Sequence, residues 1–177
     1  TKEVSEQTQI LEINYPTEIA PELQQSRFFQ RALRISRNIL GPNIELLFDH
    51  CIIKPPMSEG QTAWHQDGAY TRRTRKFTFV SRRLHWWLPL QSVNQENGCM
   101  EFVAGSHRGP ILPHHLRSPQ AHALETDPPS ADTVTFCSLP VGGATIHLIK
   151  TLHFSGANRT NVPRYAWVVQ FGVKTWI

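Results

Sequence analysis

The chain has no apolar run near the roughly 20 residues that a membrane-spanning helix requires, so no segment is expected to cross a bilayer. Cysteine is scarce. Cys51, Cys99 and Cys137 cannot all pair within one chain, and their spacing fits neither a zinc ribbon nor a disulfide framework. That usage points to the cytoplasm or another reducing intracellular compartment. The start at Thr1 shows no basic segment followed by an apolar one, so no secretory signal is expected, although part of an N-terminal region is expected to be missing. Internal repeats and low-complexity tracts are absent too. Charged residues make up only 18% of the chain against 40% hydrophobic, which excludes a disordered polyelectrolyte and leaves a soluble globular protein. At 177 residues, one domain spanning 1–177 is expected.

What is present is mostly β texture. Ser26 to Leu40 carries a helical pattern, with Phe28, Ala32, Ile35 and Ile39 at three- and four-residue steps, Ser26 as cap and Gly41-Pro42 as stop. After it come short β-branched and aromatic runs separated by turn residues: Ile44 to Ile53, Phe77 to Val80, Leu84 to Gln91, Cys99 to Val103, Thr133 to Ser138, Ala144 to Lys150 and Tyr165 to Val173. Strands without interleaved helices favour an antiparallel sandwich or barrel over a doubly wound α/β sheet. Asn97-Gly98 marks a tight turn. Ile111 to Pro129, rich in proline and histidine, reads as a long connecting loop. Asn158-Arg159-Thr160 matches a glycosylation acceptor but reads as a turn.

The net charge of +4 is concentrated in Arg72, Arg73, Arg75, Lys76, Arg82 and Arg83. Such a cluster attracts carboxylate or phosphate groups, or is simply a solvated loop. As a nucleic-acid track it would need interleaved aromatics, and it holds only Phe77 and Phe79, so an acidic small molecule is the favoured partner.

Trp64-His65-Gln66-Asp67 holds the chemistry. On a strand, His65 and Asp67 point to one face and address one position together. His-x-Asp alone is weak and needs a third ligand, for which His153 is the best candidate, at the end of the Ala144 to Lys150 strand. Two imidazoles and a carboxylate on one face of a metal leave the opposite positions open, which suits non-haem Fe(II). Arg164 then begins a strand expected to pair beside His153. Its planar fork, with the Ser155 hydroxyl, matches the far carboxylate of a bound dicarboxylate.

The ordered set Lys54-Pro55-Pro56, Trp64-His65-Gln66-Asp67-Gly68, Asn97-Gly98-Cys99, Gly105-Ser106-His107 and Thr151-Leu152-His153-Phe154-Ser155-Gly156-Ala157-Asn158-Arg159 through Arg164 resembles the phytanoyl-CoA dioxygenase family over about residues 44 to 172. The resemblance implies an all-β core with minor α: a double-stranded β-helix (jelly roll, cupin-like) with an N-terminal flanking helix. It implies His65, Asp67 and His153 as Fe(II) ligands. It also implies Arg164, Ser155, Trp87 and Gln66 around the cosubstrate 2-oxoglutarate, although strand alternation would aim Gln66 away. The implied reaction is oxidation of a small molecule by O2 with succinate and carbon dioxide as co-products, ascorbate being an accessory reductant. Related halogenases have a small residue where Asp67 stands, so the carboxylate favours hydroxylation. A departure is Gly142-Gly143-Ala144, which lacks the acidic residue usual before the distal histidine. The rival readings are a non-catalytic jelly-roll binding domain and a nucleic-acid-directed dioxygenase.

The remaining chemistry-bearing residues have blander expectations. His147 reads as a buried histidine bonded to a backbone carbonyl, with the cavity as alternative; His85 shares a strand face with Trp87 and is a pocket candidate. His107 is expected to fix a turn. His114, His115 and His122 fall on the long loop, which could serve as a lid, and Trp64, Trp86, Trp167 and Trp176 read as packing residues.

Overall fold

A computed structural model describes residues 10–73, 83–116 and 123–173. The strand expected over Phe77 to Val80, the basic residues Arg75, Lys76 and Arg82, and His122 and Trp176 lie outside the described residues. In chain order the elements are β1 (Leu11–Asn14), α1 (Pro16–Ile19), α2 (Arg27–Leu40), β2 (Glu45–Lys54), β3 (Thr62–His65), α3 (Gly68–Arg73), β4 (Arg83–Pro89) and β5 (Met100–Val103). The short pair β6 (His115–Leu116) and β7 (Leu124–Glu125) follows, then β8 (Val134–Cys137), β9 (Thr145–Leu148), β10 (His153–Ser155) and β11 (Arg164–Gly172).

The strands form two antiparallel sheets, ordered β1-β2-β11-β4-β9 and β3-β10-β5-β8, the arrangement of a double-stranded β-helix or jelly roll. The sheet β6-β7 occupies part of the segment read as a long loop. Two expectations are corrected here. Arg164 begins β11, but β11 pairs with β2 and β4 in the larger sheet and not with the strand of His153. His153 does not end the Ala144 to Lys150 strand; it opens the separate strand β10 after a turn in which Thr151 N donates to Leu148 O (2.8 Å).

Strands β4 and β11 are buried on both faces, which is why they read as continuous apolar runs. One face, with Leu84, Trp86, Leu88, Trp167, Val169 and Phe171, packs against α2. The other, with Trp87, Ala166 and Val168, packs toward the smaller sheet through Met100 and Cys99. Polar groups in these layers are matched. Trp86 Nε1 donates to Ser36 Oγ on α2 (2.9 Å). Asp49, 1% exposed, accepts from Trp167 Nε1 (3.1 Å) and from Thr17 N and Oγ1 (3.2 and 2.9 Å), tying α1 to the sheet. Among the described residues no helix is long and apolar enough to cross a membrane.

Helix α2 starts where expected: Ser26 caps it by accepting from Phe29 N (3.3 Å). Its buried stripe, however, is Phe29, Ala32 and Ser36, rotated from the expected one, and Ile39 is 56% exposed. The Trp86 indole, bonded to Ser36, turns the face carrying Ser36 toward the sheet. Phe29→Ala is therefore expected to cost about 3–5 kcal/mol and Ile39→Ala less than about 0.5 kcal/mol. Equal denaturant midpoint shifts for the two variants would contradict this orientation.

Candidate active site

Strand β3 stops at His65. Gln66 and Asp67 lead into α3, where Ala69 N donates to Gln66 O (2.9 Å) and Tyr70 N to Asp67 O (3.1 Å). A turn, not strand alternation, thus swings the Asp67 carboxylate back beside His65. In the same sheet β10 runs antiparallel to β3 with His153 directly opposite His65, and the two rings lie 4.1 Å apart between centroids. His65 Nε2 lies 3.4 Å and His153 Nε2 3.8 Å from Asp67 Oδ1. Each ring donates Nδ1–H to a carbonyl two residues back, Ala63 O and Thr151 O, both at 2.8 Å. Those bonds occupy Nδ1 and turn Nε2 toward the carboxylate, the ring orientation a metal ligand requires.

A second histidine pair faces the first from the larger sheet. His85 on β4 and His147 on β9 are cross-strand partners, with ring centroids 5.3 Å apart. They approach the other oxygen of the same carboxylate: His85 Nδ1 is 2.8 Å and His147 Nε2 3.2 Å from Asp67 Oδ2. His147 therefore bonds the carboxylate, not a backbone carbonyl as expected, and both rings line the cavity.

Electrostatics follows from this crowding. Burial raises the Asp67 pKa, but the charges of His85 and His153 and the hydrogen bonds of His147 and His65 outweigh it and hold the carboxyl well below its usual range. Burial, reinforced by His65, drives His153 well below the usual imidazole value, and burial also lowers His147. For His65, burial is overcome by Asp67 and the value rises. The donor set of two imidazoles and one carboxylate oxygen, with mutually close ligand atoms, fits a divalent cation.

The cavity, about 630 Å³, runs from this cluster to Arg164. Arg164 is 1% exposed, and its Nε and Nη1 have no hydrogen-bond partner among the described residues. Its Nη2 donates to Ser155 Oγ (3.3 Å), and its guanidinium lies 5.4 Å from the centre of the Trp87 ring. A buried guanidinium with two orphaned nitrogens beside a cavity fits a carboxylate ligand. Ser155 contributes differently from expectation: its hydroxyl donates to Gly98 O (3.0 Å) while accepting from Arg164 and Lys54, so it positions these two side chains. Gly98 has φ 77, and a Cβ there would lie 2.5 Å from Gly156 O, so the Asn97-Gly98 turn needs glycine to close under Ser155.

Gln66 is corrected outright. It is 1% exposed and turned from the cavity, donating Nε2–H to Pro110 O (3.2 Å) and Lys150 O (2.7 Å) and accepting from Leu112 N (2.8 Å). With His114 Nε2 accepting from Gln66 N (3.0 Å), it fastens the start of the 111–129 segment. The turn expected of His107 is held by Ser106, whose Oγ donates to Val103 O (2.7 Å) and accepts from Leu152 N (2.9 Å). Asn158 is fully buried, and its Nδ2 donates to Lys54 O, Pro55 O and Val162 O, the turn role expected of it.

Lys54 was missed as a site residue. Fully buried, it donates to Ser155 O (2.7 Å), Ser155 Oγ (3.0 Å) and Gly156 O. Only its place next to a proline pair was visible in the sequence.

Several known proteins resemble the chain. The family profile described as Phytanoyl-CoA dioxygenase (PhyH) matches residues 4–166. A "Probable alpha-ketoglutarate-dependent hypophosphite dioxygenase" of Stutzerimonas stutzeri is 30% identical over 144 residues, covering 76% of this chain and 47% of that protein. The peroxisomal phytanoyl-CoA dioxygenase of Rattus norvegicus is 27% identical over 143 residues, 75% of this chain and 40% of the relative. The chain thus spans under half the length of these relatives. EvdO2 from Micromonospora carbonacea var. aurantiaca, solved in complex with 2-oxoglutarate, superposes with a TM-score of 0.83 at 34% identity, covering 93% of this chain and 67% of that one.

Burial, with the charge of Arg164, drives Lys54 down to about 6, Glu101 opposing. Unfolded lysine titrates near ~10.4, so folding releases a proton between these values and stability rises with pH across that window, falling as pH drops toward about 6. Denaturant titrations at pH 7 and pH 9 should give wild type a slope on the order of 1 kcal/mol per pH unit that Lys54→Met lacks. Parallel profiles for the two proteins would contradict it.

Proposed function

The chain belongs to the phytanoyl-CoA dioxygenase family, and on that premise we propose that it is an Fe(II)- and 2-oxoglutarate-dependent oxygenase that hydroxylates an unactivated C–H bond of a small, acidic molecule. The observation that carries this reading is the pairing of two features in one cavity: the N,N,O cluster of His65, His153 and Asp67, and the orphaned guanidinium of Arg164. Iron, when bound, supplies dioxygen activation coupled to oxidative decarboxylation of 2-oxoglutarate. The overall reaction consumes R–H, O2 and 2-oxoglutarate and gives R–OH, succinate and carbon dioxide.

The chain's own residues do the rest. His65 and His153 turn Nε2 and Asp67 turns Oδ1 toward one position, where they would hold the metal. Arg164, driven by burial down to about 10, stays cationic at neutral pH and takes the far carboxylate of 2-oxoglutarate. Ser155 fixes the guanidinium from one side and Trp87 supports it from another, so little rotamer freedom is lost on binding. Lys54, fully buried, donates to the carbonyl and hydroxyl of Ser155 and so helps hold the side chain that fixes the guanidinium. The acidic substrate is supported by Arg83, also on the cavity wall, whose buried Nε has no hydrogen-bond partner among the described residues.

With Fe(II) and 2-oxoglutarate under anaerobic conditions, the protein should show a weak visible charge-transfer band that Asp67→Ala and His153→Ala abolish. Arg164→Met should weaken 2-oxoglutarate binding about 10- to 100-fold, the loss of a charge-assisted contact. A folded wild type with no band would overturn the assignment.

A further inference from the structure

Asp67 has two carboxylate oxygens, and the metal role proposed above uses only one. The other points at the larger sheet, where two histidines converge on it. We propose that His85 and His147, with Gln170 behind His85, form a clamp that dedicates Asp67 Oδ2 to two N–H donors, leaving Oδ1 as the only oxygen free to bind the metal. This inference rests on the metal role proposed for Asp67.

The hydrogen-bond chain sets the protons. Gln170 Nε2 donates to His85 Nε2, so the His85 proton sits on Nδ1, aimed at Asp67 Oδ2 at 2.8 Å. His147 donates Nε2–H to the same oxygen at 3.2 Å. All three side chains are 7–8% exposed, so water does not compete for these bonds on equal terms. Their placement is a property of the sheet: β4 pairs His85 with His147 on β9 and with Gln170 on β11, putting the three in one row.

The chemical consequence concerns open positions. A carboxylate free on both oxygens can chelate a cation and take two coordination positions; one whose second oxygen is saturated by donors takes one. The clamp thus keeps an additional position available for cosubstrate or dioxygen. Partners of this kind orient metal ligands, and their loss typically costs about 10- to 100-fold in metal affinity. His85 and His147 are positioning residues in this scheme. Their own ligand atoms also cluster with Asp67 closely enough for a cation, but the Gln170 bond leaves His85 Nδ1 protonated, without a lone pair to offer.

Co(II) titration calorimetry of the intact chain tests the clamp, with His153→Ala as reference. Wild type should bind one Co(II), and His85→Ala and His147→Ala should each weaken binding about 10- to 100-fold. Two conservative variants should restore most of the affinity: His85→Asn, whose Nδ2 takes the place of imidazole Nδ1, and His147→Gln, whose Nε2 takes the place of imidazole Nε2. The Co(II) absorption spectrum should change in the alanine variants, as Oδ2 becomes free to coordinate, and return toward wild type in the conservative ones. If either alanine variant fails to fold, the Asn and Gln variants alone decide. Wild-type affinity in folded alanine variants, with binding lost in His153→Ala, overturns the clamp and spares the metal assignment. Unchanged binding in His153→Ala overturns the metal assignment itself. A second Co(II) in wild type that disappears in His85→Ala would make the pair ligands and not a clamp. Asn and Gln variants as weak as alanine would show that ring packing, not donation, is what matters.

Discussion

The site depends on one carboxylate held between two cross-strand histidine pairs. His65 and His153 face each other across the β3–β10 ladder, His85 and His147 across the β4–β9 ladder, and Asp67 sits between the two sheets. Four imidazoles around one partly buried anion would be untenable if several were charged. Burial pushes His147 and His153 toward the neutral form while the carboxylate stays ionised. An ionised carboxylate set among imidazoles in a cavity suits a cation.

The sheets make this possible by dividing labour between their faces. On the large sheet, alternate residues of β4 and β11 go outward to α2 as Trp86, Trp167, Val169 and Phe171, or inward to the cavity as His85, Trp87, Val168 and Gln170. On the outer face Asp49 and Ser36 satisfy the two indoles, while the inner face holds the polar groups of the site. Arg164 lies at one end of the cavity, and the histidines and Asp67 at the other. A one-residue slip of β4 or β11 would turn His85 or Arg164 and Gln170 out of the cavity.

Much of this was legible in the sequence, for identifiable reasons. The α2 cap and stop are local signals, and the β-branched and aromatic runs of β2, β4, β5, β8, β9 and β11 carry their own pattern. The convergence of His65, Asp67 and His153 with Arg164 could be inferred because motif order constrained it. Short elements without a pattern, β1 and the three-residue β10, were not visible, and neither was which strand lies beside Arg164, since pairing in a jelly roll is non-local. The Gln66 side chain was uncertain because the strand ends one residue before it, and alternation no longer applies past that point. Lys54, His85 and His147 owe their roles to register and burial, which single residues do not announce. His147 differs from any other buried histidine only by what stands opposite it.

The central claim is that one cation is held by His65, Asp67 and His153 within reach of the cavity that ends at Arg164. Diffraction from crystals loaded anaerobically with Fe(II), recorded at the iron absorption edge, tests it most directly. The expected result is a single anomalous peak about 2.0–2.2 Å from His65 Nε2, His153 Nε2 and one oxygen of Asp67, distances typical of such ligands. A peak elsewhere, or ordered protein with no peak at this cluster, would contradict it.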